Sequence, residues 1–481
     1  MLLAYAILED FVFHPILIFS LHIQQHRCPP RYDYTRSHQT CGELSNPNVS
    51  FLTGACMGSD YLQRTTKSRS MFERSKKVQP AGVSYRYRYF DPYPFFVRQA
   101  KGARLIDVDG NEYTDYWCTH FSMILGHAPH SVLEAINRQT ENGWHFGLEH
   151  ELEVLHAEKI CQHVPSAEMV RHTSSGSEAN LFAIRLARTY TKRNKIVKFE
   201  GGWHGAYDPL HMAVKPPFNQ PSSGGITKLS QQDTIIVPYG DLNEFMVRVK
   251  GKELACIILE PVLGAGGMVP ADREFLKGLR EYCDEKGTIL IFDEVITGFR
   301  LGLGGAQERF NVIPDVTVLG KIIGGGLPIG AICGRREIME RMDHTKFSGI
   351  DYAYHGGTFA GNVLSLTAGL ATIEVLERSQ VYAYLSKLGE KARNGLNSAF
   401  NHFPVTITGI DSLFAIHMNS KKDSPLGQAS DLFRWMLENG VFMLVPDTLH
   451  GAISFAHTDD DITFLVSLIE KYVDMKRKSM K

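Results

Sequence analysis

The sequence has no Cys-x-x-Cys pair among its 8 cysteines, which are scattered along 481 residues. This spacing disfavours a zinc site and a disulfide framework, and unpaired cysteines are typical of proteins in a reducing compartment. We therefore predict a cytoplasmic protein that holds no metal ion.

The sequence also has no excess of charge of either sign. Its 51 Lys and Arg residues balance 52 Asp and Glu residues, and the net charge is −1. This balance gives no reason to expect nucleic acid or an anionic membrane as a partner. With 43% hydrophobic and 21% charged residues over this length, the composition is typical of a globular protein of two or three domains.

The glycine clusters lack the motifs that bind nucleotide phosphates. Residues 264–267 have the composition of turns. Lys321 precedes the glycines at 324–326, whereas the lysine of a phosphate-binding P-loop follows its glycines. Neither cluster contains Gly-x-Gly-x-x-Gly, which weakens the case for a nucleotide-binding enzyme.

The beginning of the chain lacks the features of a targeting segment. Residues 1–23 are apolar but carry acidic residues and histidines, and they have no positively charged start. This composition argues against a signal peptide and against a membrane-spanning helix. Residues 24–56 have the composition of a loop. We predict that residues 1–69 are a disordered or non-native extension, with Met57 or Met71 as the true start; the alternative is a membrane anchor.

Two apolar runs within residues 288–334 organise the rest of the chain. Residues 288–292 and 316–319 are short and bounded by turn residues, a pattern that predicts strands covered on both faces. Open parallel sheets bind ligands beyond the carboxyl ends of their strands. Asp293 follows the first run and Lys321 follows the second, so we expect both in one crevice.

A lysine and an aspartate in one crevice indicate a particular chemistry. Lysine forms a Schiff base with an aldehyde, and pyridoxal 5′-phosphate is the aldehyde cofactor that needs it. Asp293 would hold the proton of the pyridine nitrogen, and Val295, on the same face of the strand, would pack on the ring. The alternative is a buried Asp293–Lys321 salt bridge in a sheet protein.

Residues 169–190 predict a site for the phosphate of such a cofactor. A short strand leads through Ser175, Gly176 and Ser177 into a helix with one apolar side. The amides of Gly176 and Ser177 and the hydroxyl of Ser175 would face an anion at the positive end of the helix. The alternative is that Ser175 only caps the helix.

Two motifs carry a resemblance to a known family. The sequences DEVITGFR at 293–300 and LGKIIGGGLPIGA at 319–331 resemble the class III, or ω-type, branch of the pyridoxal-phosphate-dependent aminotransferases of fold type I. The resemblance extends from about Ser70 to the C-terminus. Within the branch, residues 291–321 and AHTDDDI at 456–462 are most similar to the glutamate-1-semialdehyde 2,1-aminomutases.

The resemblance implies an α/β fold of the fold-type-I transferase kind. A large cofactor-binding domain with a mostly parallel central sheet is expected at residues 121–375. A smaller α+β domain is expected from residues 70–120 together with 376–481. Within its C-terminal part, the sequence predicts strands at 413–417 and 453–456.

The resemblance also implies the roles of individual residues. Lys321 binds the cofactor and then moves protons between substrate and cofactor carbons. Trp203, directly before His204, takes the place of the aromatic residue that stacks on the free face of the ring. Thr358 crosses a homodimer interface to the partner's cofactor phosphate. The expected cofactor-binding set is Ser175, Gly176, Ser177, Trp203, His204, Glu260, Asp293, Val295, Lys321 and Thr358.

The implied reaction is intramolecular amino transfer from glutamate-1-semialdehyde to 5-aminolevulinate, with pyridoxamine phosphate as the second form of the cofactor. Arg88, with Arg86 as its rival, is expected to bind a substrate carboxylate. Residues 448–451 lack the acidic residue that the aminomutases have there. The alternatives are a class III aminotransferase or racemase acting on another amino acid, and a binding or regulatory module without a cofactor.

Overall fold

The computed structural model describes residues 59–378, 380–418, 426–444 and 448–479. Its strands are, in chain order, β1 (Val97–Lys101), β2 (Arg104–Asp107), β3 (Glu112–Asp115), β4 (Met169–Thr173), β5 (Lys195–Phe199), β6 (Thr234–Val237), β7 (Leu254–Leu259), β8 (Val262–Leu263), β9 (Val269–Pro270), β10 (Ile289–Asp293), β11 (Val316–Gly320), β12 (Gly330–Gly334), β13 (Val405–Ile410), β14 (Leu413–Met418), β15 (Val441–Phe442) and β16 (Leu449–Ala452). Its right-handed α-helices are Ser59–Arg64, Thr66–Ser75, His130–Glu141, Glu151–His163, Gly176–Thr191, Lys228–Asp233, Leu242–Val249, Arg273–Lys286, Gly305–Phe310, Arg336–Met339, Val363–Arg378, Val381–Ala399, Ala429–Glu438 and Asp459–Ser479.

Seven strands form the central sheet, in the order β4-β12-β11-β10-β7-β5-β6. Strand β12 runs antiparallel to both of its neighbours, and the other strands of this sheet share one direction. The two predicted buried runs are confirmed as β10 and β11. Their carboxyl ends therefore lie at the same edge of the sheet, where ligands of open α/β sheets bind.

The central sheet is buried on both faces, because the side chains of each strand alternate between them. In β10, Ile289 and Ile291 belong to one hydrophobic cluster, whereas Leu290 and Phe292 belong to the cluster on the other side. Fully burying a side chain of this kind contributes about 1.5–3 kcal/mol to stability. Packing from both sides fixes the strand, and with it the position of Asp293 at its end.

The fold begins earlier in the chain than predicted, because the N-terminal extension was expected to end at residue 69. Residues 59–69 are helical apart from one connecting position. Tyr61 is buried, and its hydroxyl donates a hydrogen bond to the carbonyl of Tyr93 at 2.9 Å. The boundary at 69 is therefore wrong, because this segment packs on the core. Residues 1–58 lie outside the described part of the chain.

The first and last parts of the chain share a small sheet, in the order β1-β2-β3-β15. Val441 of β15 pairs with Thr114 of β3 in parallel register. Residues 70–120 and 376–481 are therefore in contact, as a shared smaller domain requires. The boundaries after residues 120 and 375 stay predictions.

The C-terminal strands only partly match the prediction. The strand expected at 413–417 is present as β14, but the one expected at 453–456 is wrong, because the strand lies earlier, at Leu449–Ala452. This strand pairs antiparallel with β14. Gly451 lets the ring of Phe414 pack against the backbone of this strand, since a Cβ at position 451 would lie 2.4 Å from that ring. Thr448 and His450 line the cavity described below.

Two observations on the described ranges concern membranes and metals. No helix in them is both long enough and apolar enough to cross a bilayer. Over the same residues, the structure has no group of three or more His, Cys, Asp and Glu side chains placed to hold a metal ion.

Candidate active site

Five strands of the central sheet deliver their carboxyl ends to one cavity of about 1240 Å³. Because these strands run in the same direction, residues that are far apart in sequence meet at one edge. The residues that β4, β5, β7, β10 and β11 bring to its lining are Ser175, Trp203, Glu260, Asp293 and Lys321, respectively.

Asp293 ends β10 and is held by three donors. Its Oδ2 accepts hydrogen bonds from Nδ1 of His204 and Nδ2 of Asn180, both at 2.8 Å. Its Oδ1 accepts from the amide of Val295 at 3.1 Å. A buried carboxylate that is fixed in this way is suited to hold the proton of a cationic ring nitrogen.

His204 supports Asp293 from a fully buried position. Burial lowers the pKa of His204, and the adjacent Asp293 carboxylate opposes that shift. Nε2 of His204 and Oδ1 of Asn180 are buried and have no hydrogen-bond partner among the described residues. Both residues line the cavity, so the wall fits a site that a polar ligand completes.

Lys321 begins the 3-10 turn Lys321–Gly324, directly after β11. Its φ angle is +52°, a left-handed conformation that is strained for a residue with a side chain. Removal from water lowers the pKa of Lys321, although Asp293 and Glu260 oppose the shift. A lysine with a lowered pKa loses its proton more readily, so its amine can act as a nucleophile and as a proton carrier.

A pair of buried histidines holds the backbone behind this turn. Nε2 of His156 donates to the carbonyl of Ile323 at 2.7 Å, and Nδ1 of His156 lies 3.0 Å from Nε2 of His172. Because the carbonyl can only accept, His172 is the donor to His156. Burial lowers the pKa of His156 to about 4 and that of His172 to about 3, so both rings are neutral near pH 7. The pair fixes the chain two residues after Lys321.

Glu260 follows β7 and organises the backbone around Trp203. Its Oε1 accepts from the amide of Trp203 at 2.8 Å, and its Oε2 accepts from the amide of Gly264 at 3.0 Å. Burial and the nearby Asp293 raise the pKa of Glu260 to about 8, against the effect of these hydrogen bonds and of Lys321. Glu260 therefore positions the segment that presents Trp203 to the cavity.

The helix Gly176–Thr191 begins at the cavity wall. The first amides of a helix have no partner within it, which leaves those of Gly176 and Ser177 to face an anion. Oγ of Ser175 accepts from the amide of Glu178 at 3.2 Å, so Ser175 caps the helix as well as lining the cavity.

Two glycines allow neighbouring segments to approach each other closely at this end of the cavity. A Cβ at Gly205 would lie 2.4 Å from Oγ of Ser177, and a Cβ at Gly176 would lie 2.8 Å from Cγ2 of Val295. Both side chains are therefore excluded by close packing. The resulting cradle, with the carboxylate of Asp293 and the amine of Lys321 in the same cavity, fits a phosphate-bearing aldehyde cofactor.

Two of the predicted site residues lie elsewhere in this chain. Arg88 is not among the residues that line the cavity, and its Nη1 donates to Oγ of Ser84 at 2.9 Å. Arg86 does line the cavity, which favours the rival of Arg88. Thr358 is exposed and does not line the cavity of its own chain. The roles of Arg88 and Thr358 stay predictions.

Several residues of the cavity wall were not predicted from the sequence, among them Asn180 and His120. Asn180 is buried among the apolar residues on the inner side of the helix Gly176–Thr191. A polar residue within that apolar stripe was the available signal. His120 lies in a strained turn for which the sequence, which has no glycine at that place, offered no pattern.

Known proteins match this chain over most of its length. The model of the family described as Aminotransferase class-III matches residues 86–473. The glutamate-1-semialdehyde 2,1-aminomutase of Methanopyrus kandleri is 40% identical over 429 residues, which cover 86% of this chain and 99% of that protein. The protein of the same name from Thermosipho africanus is 42% identical over 420 residues, covering 84% of this chain and 98% of that protein.

A solved structure supports both the fold and the cofactor. A transaminase with pyridoxal phosphate bound superposes with a TM-score of 0.80 and 34% identity, covering 86% of this chain and 98% of that chain. The family match and the convergence of Lys321 and Asp293 in one cavity agree with each other. The chain belongs to the class III aminotransferase family and is a pyridoxal-phosphate-dependent enzyme of fold type I.

Proposed function

We propose that this enzyme converts glutamate-1-semialdehyde to 5-aminolevulinate by intramolecular amino transfer. The observation that carries the proposal is the placement of Lys321 and Asp293 in one cavity, in a chain that is 40–42% identical to proteins named glutamate-1-semialdehyde 2,1-aminomutase. The reaction is an isomerisation. The amino group leaves one carbon and arrives at its neighbour, so no second amino donor or acceptor is consumed.

Lys321 is the proton carrier of this reaction. When bound, the cofactor supplies an amine carrier and an electron sink. Lys321 then takes a proton from one substrate carbon and returns it at another position, a task that its lowered pKa favours. The His156–Ile323 hydrogen bond holds the backbone of the turn from which its side chain extends.

Asp293, Trp203 and Val295 orient the cofactor. The Asp293 carboxylate, fixed by His204 and Asn180, holds the proton at the ring nitrogen. Trp203 and Val295 both line the cavity, where they can pack on opposite faces of the ring. The amides of Gly176 and Ser177, with Ser175, bind the phosphate.

A second candidate is amino transfer between two separate molecules, as in the transaminases. One observation favours it. Thr448 and His450 line the cavity, in the segment where the resemblance to the aminomutases implies an acidic residue. An uncharged wall there would suit a substrate other than glutamate-1-semialdehyde.

An amine-balance assay separates the two candidates. Enzyme loaded with pyridoxamine phosphate receives glutamate-1-semialdehyde without any keto acid, and 5-aminolevulinate is measured. We expect many moles of product per mole of enzyme, because an isomerisation returns the amine form in each cycle. At most one equivalent of product, with turnover only when an amino acid and a keto acid are both added, would assign the enzyme to the transaminases.

The active form is proposed to be a homodimer. The described surface exposes Trp144, Leu148, Tyr354 and Phe359 by 58–78% of their area, and clusters of exposed large apolar side chains mark interaction surfaces. The ring of Phe359 lies 5.1 Å from that of His145, which joins the two segments into one patch. Thr358 lies in this patch, so the dimer would carry it to the partner's phosphate site.

Subunit complementation tests the crossing of Thr358. Lys321→Ala and Thr358→Glu are each expected to be inactive, the second because its carboxylate repels the phosphate. Mixed after co-refolding, they should regain up to about a quarter of wild-type activity, since half of the dimers are mixed and each mixed dimer has one intact site. Thr358→Ser serves as the control that keeps the hydroxyl. No recovery in proven mixed dimers would place Thr358 in the site of its own chain.

A cytoplasmic location is part of the same proposal. Among the described residues, Cys118, Cys161, Cys256, Cys283 and Cys333 are free thiols. Several free thiols in one chain are typical of a protein in a reducing compartment.

A further inference from the structure

Four consecutive residues with positive φ stand at the edge of the cavity. Cys118, Thr119, His120 and Phe121 have φ angles of 45°, 52°, 54° and 70°. We call residues 118–121 the left-handed turn. None of them is glycine, and a left-handed conformation is strained for a residue with a side chain. Such strain persists only where the surroundings enforce it, and it clusters at ligand sites.

A buried arginine enforces the left-handed turn from behind. Nη2 of Arg300 donates to the carbonyl of Phe121 at 2.6 Å, and its Nη1 donates to Oγ of Ser412 at 3.2 Å and the carbonyl of Ile453 at 3.5 Å. Arg300 is only 1% exposed, and all three of these partners are neutral oxygens. Burying a cation among neutral partners costs free energy. A buried arginine is therefore expected only where the backbone geometry that it imposes is needed.

The left-handed turn presents His120 to the cavity. The imidazole of His120 packs against two aromatic rings, with centroid distances of 4.0 Å to Trp117 and 5.4 Å to Tyr85. Burial and the nearby charges of Lys321 and Arg88 lower the pKa of His120 to about 3. The ring is therefore neutral at pH 7 and offers one N–H donor at the cavity wall.

A substrate carboxylate is the group that fits this place. The guanidinium of Arg86, which lines the same cavity, attracts an anion. The aromatic neighbours fix the plane of the imidazole, so its N–H is pre-organised. We propose that His120 is a substrate-positioning residue that donates a hydrogen bond to the carboxylate of the substrate. The inference rests on the proposed function in so far as glutamate-1-semialdehyde carries such a carboxylate, remote from its reacting carbons.

Binding of two matched amines tests this role without turnover. Holoenzyme is titrated with 5-aminopentanoate and with pentylamine, which differ only in the carboxylate, and the absorbance change of the bound cofactor gives each dissociation constant. We expect His120→Phe to weaken the binding of 5-aminopentanoate about 10- to 100-fold, the range for a hydrogen bond to a charged group. The constant for pentylamine should stay within about twofold. His120→Gln, which keeps an N–H donor, should retain most of the affinity.

The outcomes separate this inference from the proposed reaction. Equal weakening of the binding of both amines would make His120 a packing residue and overturn the proposal. Unchanged binding of both amines would also overturn it. The wild-type enzyme could form no 5-aminolevulinate while His120→Phe loses the preference for 5-aminopentanoate over pentylamine. The proposed reaction would then fail, and the role of His120 would stand. If the reaction is confirmed, His120→Phe should raise KM for glutamate-1-semialdehyde about 10-fold and leave kcat within about threefold.

Discussion

Replacing Lys321 with alanine is expected to lower kcat by at least about 10³-fold, because the variant lacks both the amine that binds the cofactor and the group that moves the proton. The protein should still fold. Residue 321 lies in a turn whose backbone is held by the His156–Ile323 hydrogen bond rather than by the lysine side chain. Formation of 5-aminolevulinate measures the loss, and thermal unfolding shows that the fold is retained.

Lys321→Arg is the control for charge. Arginine keeps a cation at this position, but it stays protonated and does not form the Schiff base. If the positive charge alone mattered, this variant would be active. Near-normal turnover in either variant, with the fold intact, would contradict the role assigned to Lys321.

The second large effect is expected from Asp293→Asn, which should lower kcat about 10²- to 10⁴-fold. The amide is isosteric but carries no charge, so it cannot stabilise a protonated ring nitrogen. It also turns a donor toward His204 or Asn180, which both donate to Asp293. Steady-state kinetics measure the loss of rate, and dialysis followed by cofactor quantification measures the expected weaker retention of the cofactor.

Asp315→Asn is the matched control for this substitution. Asp315 is a buried carboxylate that precedes β11, at the opposite edge of the same sheet. Its Oδ2 accepts from the amide of Leu290 at 2.8 Å and from Nη1 of Arg280 at 2.9 Å. Asp315→Asn should lower thermal stability while kcat stays within about threefold. Equal losses of kcat in both variants would mean that Asp293 acts only through the stability of the sheet.

Sequence reasoning located the centre of the site because strand ends are marked locally. An apolar run such as 289–292, closely bounded by turn residues, is too short for a typical helix and favours a buried strand, and Asp293 is the first polar residue after it. Since parallel strands share an edge, the position of Asp293 and Lys321 in one cavity followed from topology alone. Ser175 was predicted from the start of the helix that follows its strand, and Trp203 from the family resemblance.

Sequence reasoning failed where long-range packing decides the backbone. The left-handed turn contains no glycine that would have indicated positive φ angles. The residue that holds it, Arg300, lies 179 positions along the chain from Phe121, whose carbonyl it binds. The helical segment at 59–69 is polar overall, and its few buried side chains were hidden in that composition. The strand at Leu449–Ala452 was missed because His450 and Gly451 interrupt its apolar pattern.

Reductive trapping tests the central claim most directly, since it asks which lysine holds the cofactor. Holoenzyme is treated with sodium borohydride, digested, and the peptides are analysed by mass spectrometry. The structure predicts the added cofactor mass on Lys321. Lys198 is the strongest competitor, because it is buried near Glu260 and its pKa is lowered to about 7. The added mass on Lys198, on Lys215 in the cavity wall, or on any lysine other than Lys321 would contradict the account.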